Sequence, residues 1–221
     1  MRQALCAEFI GTAGLLTVVV GSGIMGERLA DGNMAIALLA NALATGFGLY
    51  VLISVFGPVS GAHFNPAVTL VETIRGRLRL RALPAYLIVQ FVGAVVGVWL
   101  AHLMFDLPIL QTSEHARVGA GQFVSEIVAT AGLILTIIGF TRHAPAQTGA
   151  AVGLFIAGAY WFTASTSFAN PAVTAARSLT DTFSGIRPVD VGPFLTAQLV
   201  GAGVALVAAA LVGFGRRPKS A

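Results

Sequence analysis

Residues 60–69 read SGAHFNPAVT and residues 168–174 read FANPAVT, so the five letters NPAVT occur twice, at 65–69 and, 105 positions further on, at 170–174. Asn is a favoured helix N-cap, and Pro suits the first helical position, where its missing N–H is one of the donors a helix leaves unpaired. Each copy therefore reads as the start of a helix. The first is short: residues 66–75 at ~1.5 Å each give roughly 15 Å, half of a bilayer's hydrocarbon core. The stretches before the two copies, 60–64 and 165–169, read as extended. Extended backbone at membrane depth is tolerated only where protein shields it or where it lines a wet cavity. Two half-helices entering from opposite sides, N-termini meeting in the middle, imply a polar path there.

The duplication extends beyond these motifs. AEFIGTAGLL at 7–16 resembles SEIVATAGLI at 125–134, with Glu8 matched to Glu126. QFVGAVVG starting at Gln90 resembles QLVGAGVA starting at Gln198. Three ordered matches divide the chain into repeat one, 1–112, and repeat two, 118–221, within one membrane domain. Each half holds three spans. Three is odd, so the second half sits inverted relative to the first, and inverted repeats place a shared site near the bilayer midplane.

The six spans are windows of about 20 apolar residues, at 4–25, 34–57, 82–105, 118–141, 146–169 and 192–214. They contain two carboxylates, Glu8 and Glu126, and no Lys or Arg. Charged residues make up 10% of the chain, against roughly 25% in a soluble domain. With 56% hydrophobic residues and a mean hydropathy of +0.85, the chain reads as an all-α polytopic membrane protein. The first span is long and its pattern recurs in the fourth, so it is expected to be retained and not cleaved as a signal. Cys6 is alone, which excludes a disulfide scaffold, and +4 charges spread thinly give no basic face for nucleic acid. Arg2, Arg75, Arg77, Arg79, Arg81, Arg142, Arg216, Arg217 and Lys219, nine of the thirteen basic residues, fall on one side of the six-span arrangement. Arg28, Arg117, Arg177 and Arg187 fall on the other. Basic residues concentrate in cytoplasmic loops, so both termini are expected in the cytoplasm.

At SGAHFNPAVT and FANPAVT the sequence resembles the aquaporin, or major intrinsic protein, family, with Glu8, Glu126, Gln90 and Gln198 where family members have them. The resemblance covers nearly the whole chain. It implies six transmembrane helices plus two re-entrant half-helices, no enzymatic activity and no cofactor. It further implies a pore in each protomer, a homotetramer, and residence in a bacterial-type inner membrane. The pore residues it points to are Asn65, Pro66, Ala67, Asn170, Pro171 and Ala172. If the two Asn cap their helices through the side-chain oxygen, each amide NH₂ is left to face the lumen as a donor. Water held by such donors loses the continuous order that relays protons, and helix N-termini add a barrier to cations. Carbonyls of Gly61, Ala62 and His63, and of residues 166–168 ending at Phe168, supply an acceptor track.

Many relatives resembling this chain carry Arg directly after the second Asn-Pro-Ala; here the residue is Val173. Matching by spacing assigns the rest of the constriction to Thr45, Tyr160 and Ser167, with Gly158 taking the place of Tyr160 under an ungapped count. The resemblance thus implies a wider, uncharged constriction, passing water, glycerol and undissociated metalloid acids such as arsenous acid. The sequence is similar to bacterial members with Val at this place. Arg177 lies one helical turn beyond Val173. It either leans back to replace the lost charge or pairs with Asp181 at the mouth.

Glu8 and Glu126 cost on the order of 3 kcal/mol each in a span unless partnered. They are read as supports for the re-entrant loop of their own half, not as a proton relay. His63 is read as a neutral pore-lining residue, with pH gating as the alternative. No other ligand lies at metal-binding spacing from it. Gly93 and Gly97, with Gly201 and Ala205 in the second half, are read as close helix crossings. Ser60 and His63 do not make an oriented nucleophile and base, and the second half is read as lacking both. The alternative to a channel is a secondary transporter, which shares inverted repeats and midplane half-helices.

Overall fold

The computed structural model describes residues 1–214; Arg216, Arg217 and Lys219, counted above for orientation, lie outside the described residues. The helices are α1 (Arg2–Leu29), α2 (Met34–Ser60), α3 (Pro66–Ile74), α4 (Leu83–Met104), α5 (Ala120–His143), α6 (Thr148–Phe162), α7 (Pro171–Arg177) and α8 (Pro188–Leu211). Among the described residues there is no strand. Five helices are long and apolar enough to cross a membrane. α6 is the exception: with 15 residues it spans ~22 Å, short of a ~30 Å hydrocarbon core. The span read at 146–169 stops at Phe162 because the following residues are drawn out by hydrogen bonds to α5, Ala164 N to Ser125 Oγ (3.0 Å) and Phe168 N to Glu126 (2.9 Å). Helix ends also overrun the apolar windows: α1 includes Glu27 and Arg28, and α8 includes Asp190.

α1 packs on α2 and α4 in the first half, as α5 packs on α6 and α8 in the second, and α2 meets α6 across the halves. Small residues set these crossings. A Cβ on Gly93 would lie 2.6 Å from the carbonyl oxygen of Phe9, and one on Gly201 would lie 2.6 Å from that of Ile127. Phe9 and Ile127 are themselves matched positions of the repeat, so one close approach of backbones is built twice. Contacts at the helix ends sort the loops into two faces. Arg77 Nη1 donates to Thr141 Oγ1 (3.0 Å) and Arg142 Nη1 to Phe214 O (3.0 Å) on one. Arg28 Nη2 donates to Phe105 O (3.1 Å) and Arg187 N to His115 O (2.9 Å) on the other. Polarity runs opposite to that of a soluble protein. Glu8, Gln90, Glu126 and Gln198 are buried, while Leu154, Val207 and Leu211 are exposed, as an apolar solvent requires.

Candidate functional site

The two extended stretches are held in the bundle by the matched carboxylates. Glu8 Oε1 accepts from Ser60 Oγ (2.7 Å) and His63 N (2.9 Å), and Oε2 from Phe64 N (2.8 Å) and Gln90 Nε2 (2.8 Å). Glu126 repeats this with Ser165 Oγ (2.6 Å), Phe168 N (2.9 Å), Ala169 N (2.9 Å) and Gln198 Nε2 (2.6 Å). Four donors fill the lone-pair sites a carboxylate offers. Ser165 is the counterpart of Ser60, a match the reading of Ser60 with His63 passed over. The backbone repeats as well. Ala62 (φ 49°) matches Ser167 (φ 51°), and Phe64 (φ 49°) matches Ala169 (φ 46°). Positive φ outside glycine costs of order 1 kcal/mol or more per residue and persists where surrounding bonds over-determine it, as these knots do.

Asn65 and Asn170 cap α3 and α7 through Oδ1, accepting from Ala67 N (2.9 Å) and Ala172 N (3.0 Å), with Pro66 and Pro171 in the first turns. Their amide groups are not both left to the lumen. Asn65 Nδ2 donates to Ala169 O (2.7 Å), and Asn170 Nδ2 donates to Phe64 O (2.8 Å). Each acceptor is the carbonyl just before the other half's Asn. An amide nitrogen carries two hydrogens, so this reciprocal lock uses one per side. One remains.

Around this junction runs a cavity of about 300 Å³, whose walls come from both halves. Thr45, Ser167, Val173 and Tyr160 all line it, as do Gly61, Ala62, His63, Phe168 and both Asn residues. Tyr160 reaches Thr45 Oγ1 at 3.3 Å. Gly158, the ungapped alternative, is exposed on the outside of α6. Thr69 Oγ1 donates its only hydrogen to Asn65 O (2.9 Å) and so accepts from Gln90 Nε2 (2.8 Å) and His63 Nδ1 (3.2 Å). That makes Nδ1 of the ring a donor. Glu72, on α3 and missed in the count of intramembrane acids, also lines the cavity and is paired with Arg75 (2.6 Å) and Arg77 (3.7 Å). Among the described residues no three His, Cys, Asp or Glu side chains gather as a metal site.

Arg177 corrects two readings, that of a charge paired at the mouth and that of an uncharged constriction. It is 2% exposed and lines the cavity. Its guanidinium carbon lies 3.4 Å from the centre of the Phe168 ring, back toward the start of α7, and Nε donates to Ser184 O. Asp181 accepts instead from Glu114 N (2.9 Å). The loop 182–186 folds over Arg177 and offers a carbonyl, a closer and drier partner than an exposed aspartate. Arg117 was counted only as a loop charge, yet it lies 4.8 Å from the same ring and donates Nε to Gly185 O (2.7 Å). No spacing could reveal it, since it belongs to the linker between the repeats. His115, two residues earlier in that linker, is held below the usual histidine range by burial and then by Arg117 and Arg177.

A sequence model of the major intrinsic protein family matches residues 1–164. The chain is 54% identical to the aquaglyceroporin AqpS of Rhizobium meliloti (strain 1021), covering 93% of this chain and 88% of that one. It is 31% identical to the probable aquaporin TIP2-2 of Oryza sativa subsp. japonica, over 92% of this chain and 84% of the relative. The X-ray structure of the aquaglyceroporin from Plasmodium falciparum superposes with a TM-score of 0.72 over 94% of this chain and 95% of that one; at 22% identity it attests the fold. Two inverted half-helices meeting inside a cavity, in a chain that matches the family model over most of its length, leave one conclusion: the chain belongs to the major intrinsic protein family of membrane channels.

Proposed function

We propose that this protein is a passive channel for water and glycerol that also admits undissociated metalloid acids such as arsenous acid. The observation that carries the reading is the reciprocal lock of Asn65 and Asn170 at the centre of a cavity lined by both halves. The amide hydrogen each Asn keeps free is a donor with no acceptor beside it, so a water between the two accepts from both sides. Its own hydrogens then point outward along the path in opposite directions, and proton relay is interrupted there. The N-terminal partial charges of α3 and α7 oppose cations at the same level. Val173 in place of a long cationic side chain supports a bore wide enough for a three-carbon polyol. The 54% identical relative is an aquaglyceroporin by name.

Proton-coupled transport commonly uses an intramembrane carboxylate free to exchange a proton. Glu8 and Glu126 are each committed to four donors and Glu72 to two arginines, which supports passive flow. The positive-inside bias supports a cytoplasmic position for both termini, and the family resemblance supports a bacterial-type inner membrane and a homotetramer with one pore per protomer. Stopped-flow light scattering on proteoliposomes, run with water, glycerol, urea and arsenous acid, tests the reading. Flux linear in solute and indifferent to proton or sodium gradients is expected. Saturation with gradient dependence would establish a transporter, and water flux that excludes every larger solute would sink the wide bore.

A further inference from the structure

Phe168 has two buried guanidinium groups against its ring, Arg177 at 3.4 Å and Arg117 at 4.8 Å. Among the described residues neither has a carboxylate within ion-pair distance. The Arg117 side chain is held by Gly185 O (2.7 Å) and, at 3.4–3.5 Å, by Ser165 O, Thr166 Oγ1 and Phe183 O. Arg177 has Ser184 O. Backbone carbonyls satisfy hydrogens but cancel no charge. The nearest buried acids are occupied: Glu126 by its four donors, Asp190 by Arg187 (3.1 Å) and the backbone N–H of Arg117 (2.8 Å).

Two donors at this place are also unused. Arg177 Nη1 and Ser167 Oγ are buried without any hydrogen-bond partner, in residues 2% and 3% exposed that both line the cavity. They flank Phe168, one through the chain and one through the ring. A buried donor with no acceptor, and a buried cation with no counter-charge, each cost free energy. Both deficits are met by one kind of ligand. Val173 leaves the lumen open beside them.

We propose that Arg177 and Ser167, with the Arg117 charge against the same Phe168 ring, form a binding site for a small singly charged oxyanion, a carboxylate or mineral oxyanion of a few heavy atoms, at the Phe168 end of the cavity. The occupant accepts from the Arg177 fork and the Ser167 hydroxyl and lies in the field of both guanidiniums. It then stands in the path of neutral solutes, so the anion slows their passage. The site goes beyond the reading of the pore as a path for neutral molecules, because a charged ligand is the one that binds longest.

The test measures glycerol flux in proteoliposomes carrying the full chain, with sodium formate, its neutral isostere formamide, or sodium chloride at equal ionic strength. Anion-free glycerol flux tests the channel itself; only the added solute tests the site. Formate is expected to inhibit in the millimolar range, with formamide and chloride at least about tenfold weaker, since charge-assisted bonds to two acceptor oxygens supply the difference. Each variant is normalised to its own anion-free flux. Arg177→Gln is expected to raise the half-inhibitory formate concentration about tenfold or more, and Ser167→Ala about threefold. Equal inhibition by formamide, by chloride, or in Arg177→Gln would overturn the proposal. Should Arg177→Gln not fold, calorimetric titration of the purified wild-type chain decides: formate heat with none from formamide supports the site, and no formate heat overturns it.

Discussion

Glutamine in place of Glu126 changes one atom's identity and reverses half of a hydrogen-bond knot. If the remaining carbonyl oxygen keeps Ser165 Oγ and Phe168 N, the new amide nitrogen faces two donors, Ala169 N (2.9 Å) and Gln198 Nε2 (2.6 Å) in the native protein. Gln198 can turn its Oε1, unpartnered in the native structure, toward the new amide, at the expense of the bond its Nε2 gives to Thr174 Oγ1 (2.7 Å). Ala169 N cannot, so one buried backbone donor is orphaned, at about 1–3 kcal/mol. The damage does not stay in the second half, since the carbonyl of Ala169 is what Asn65 Nδ2 binds. Glu126→Ala orphans all four donors, about 4–12 kcal/mol gross, comparable to the whole stability of an ordinary domain, about 5–15 kcal/mol. The expected order is wild type, then Glu126→Gln, then Glu126→Ala, in both thermal unfolding in detergent and water flux in liposomes. Glu8→Gln should fall beside Glu126→Gln because its knot has the same four contacts. Were Glu126→Gln to unfold and conduct like wild type, or were Ala no worse than Gln, the carboxylate would not be what holds the loop.

Val173→Arg should lower glycerol flux several-fold while sparing water, because a long side chain enters the cavity that Val173 lines and narrows it below the width of a polyol; unchanged glycerol flux in the stopped-flow assay would misplace the constriction. Asn65→Asp keeps the cap on Ala67 N but sets a carboxylate against Ala169 O and removes the free amide hydrogen. Proton leak, read with a trapped pH dye, should rise above wild type, and an unchanged leak would refute the donor argument. Gly93→Leu drives a side chain into the carbonyl of Phe9 and should abolish the folded peak in size-exclusion chromatography, whereas Gly158→Ala, with nothing within 4 Å of its added carbon, should elute and conduct as wild type. Equal behaviour of the two would contradict the α1–α4 packing.

What could be read without coordinates was whatever the chain states twice. NPAVT recurs because each half needs an Asn cap and a Pro-led first turn at one depth. Glu8 and Glu126 recur because each extended stretch needs four buried donors answered. The small residues at Gly93 and Gly201 recur because two backbones must nearly touch. Local chemistry repeated at a fixed shift is visible in one dimension. The fates of Arg177 and Arg117 are not, since helical spacing offers a long side chain two directions and leaves the choice to what surrounds it. That choice was made by the carbonyls of residues 183–185 and the ring of Phe168, brought together from separate parts of the chain. The amides of Asn65 and Asn170 likewise found acceptors 104 and 106 residues away. The sequence by itself determined an inverted pair of half-helices around a shared path. Only the tertiary structure decided which charges face that path, because a buried cation settles where carbonyls and an aromatic face can replace water, and those groups become neighbours only when the chain has folded.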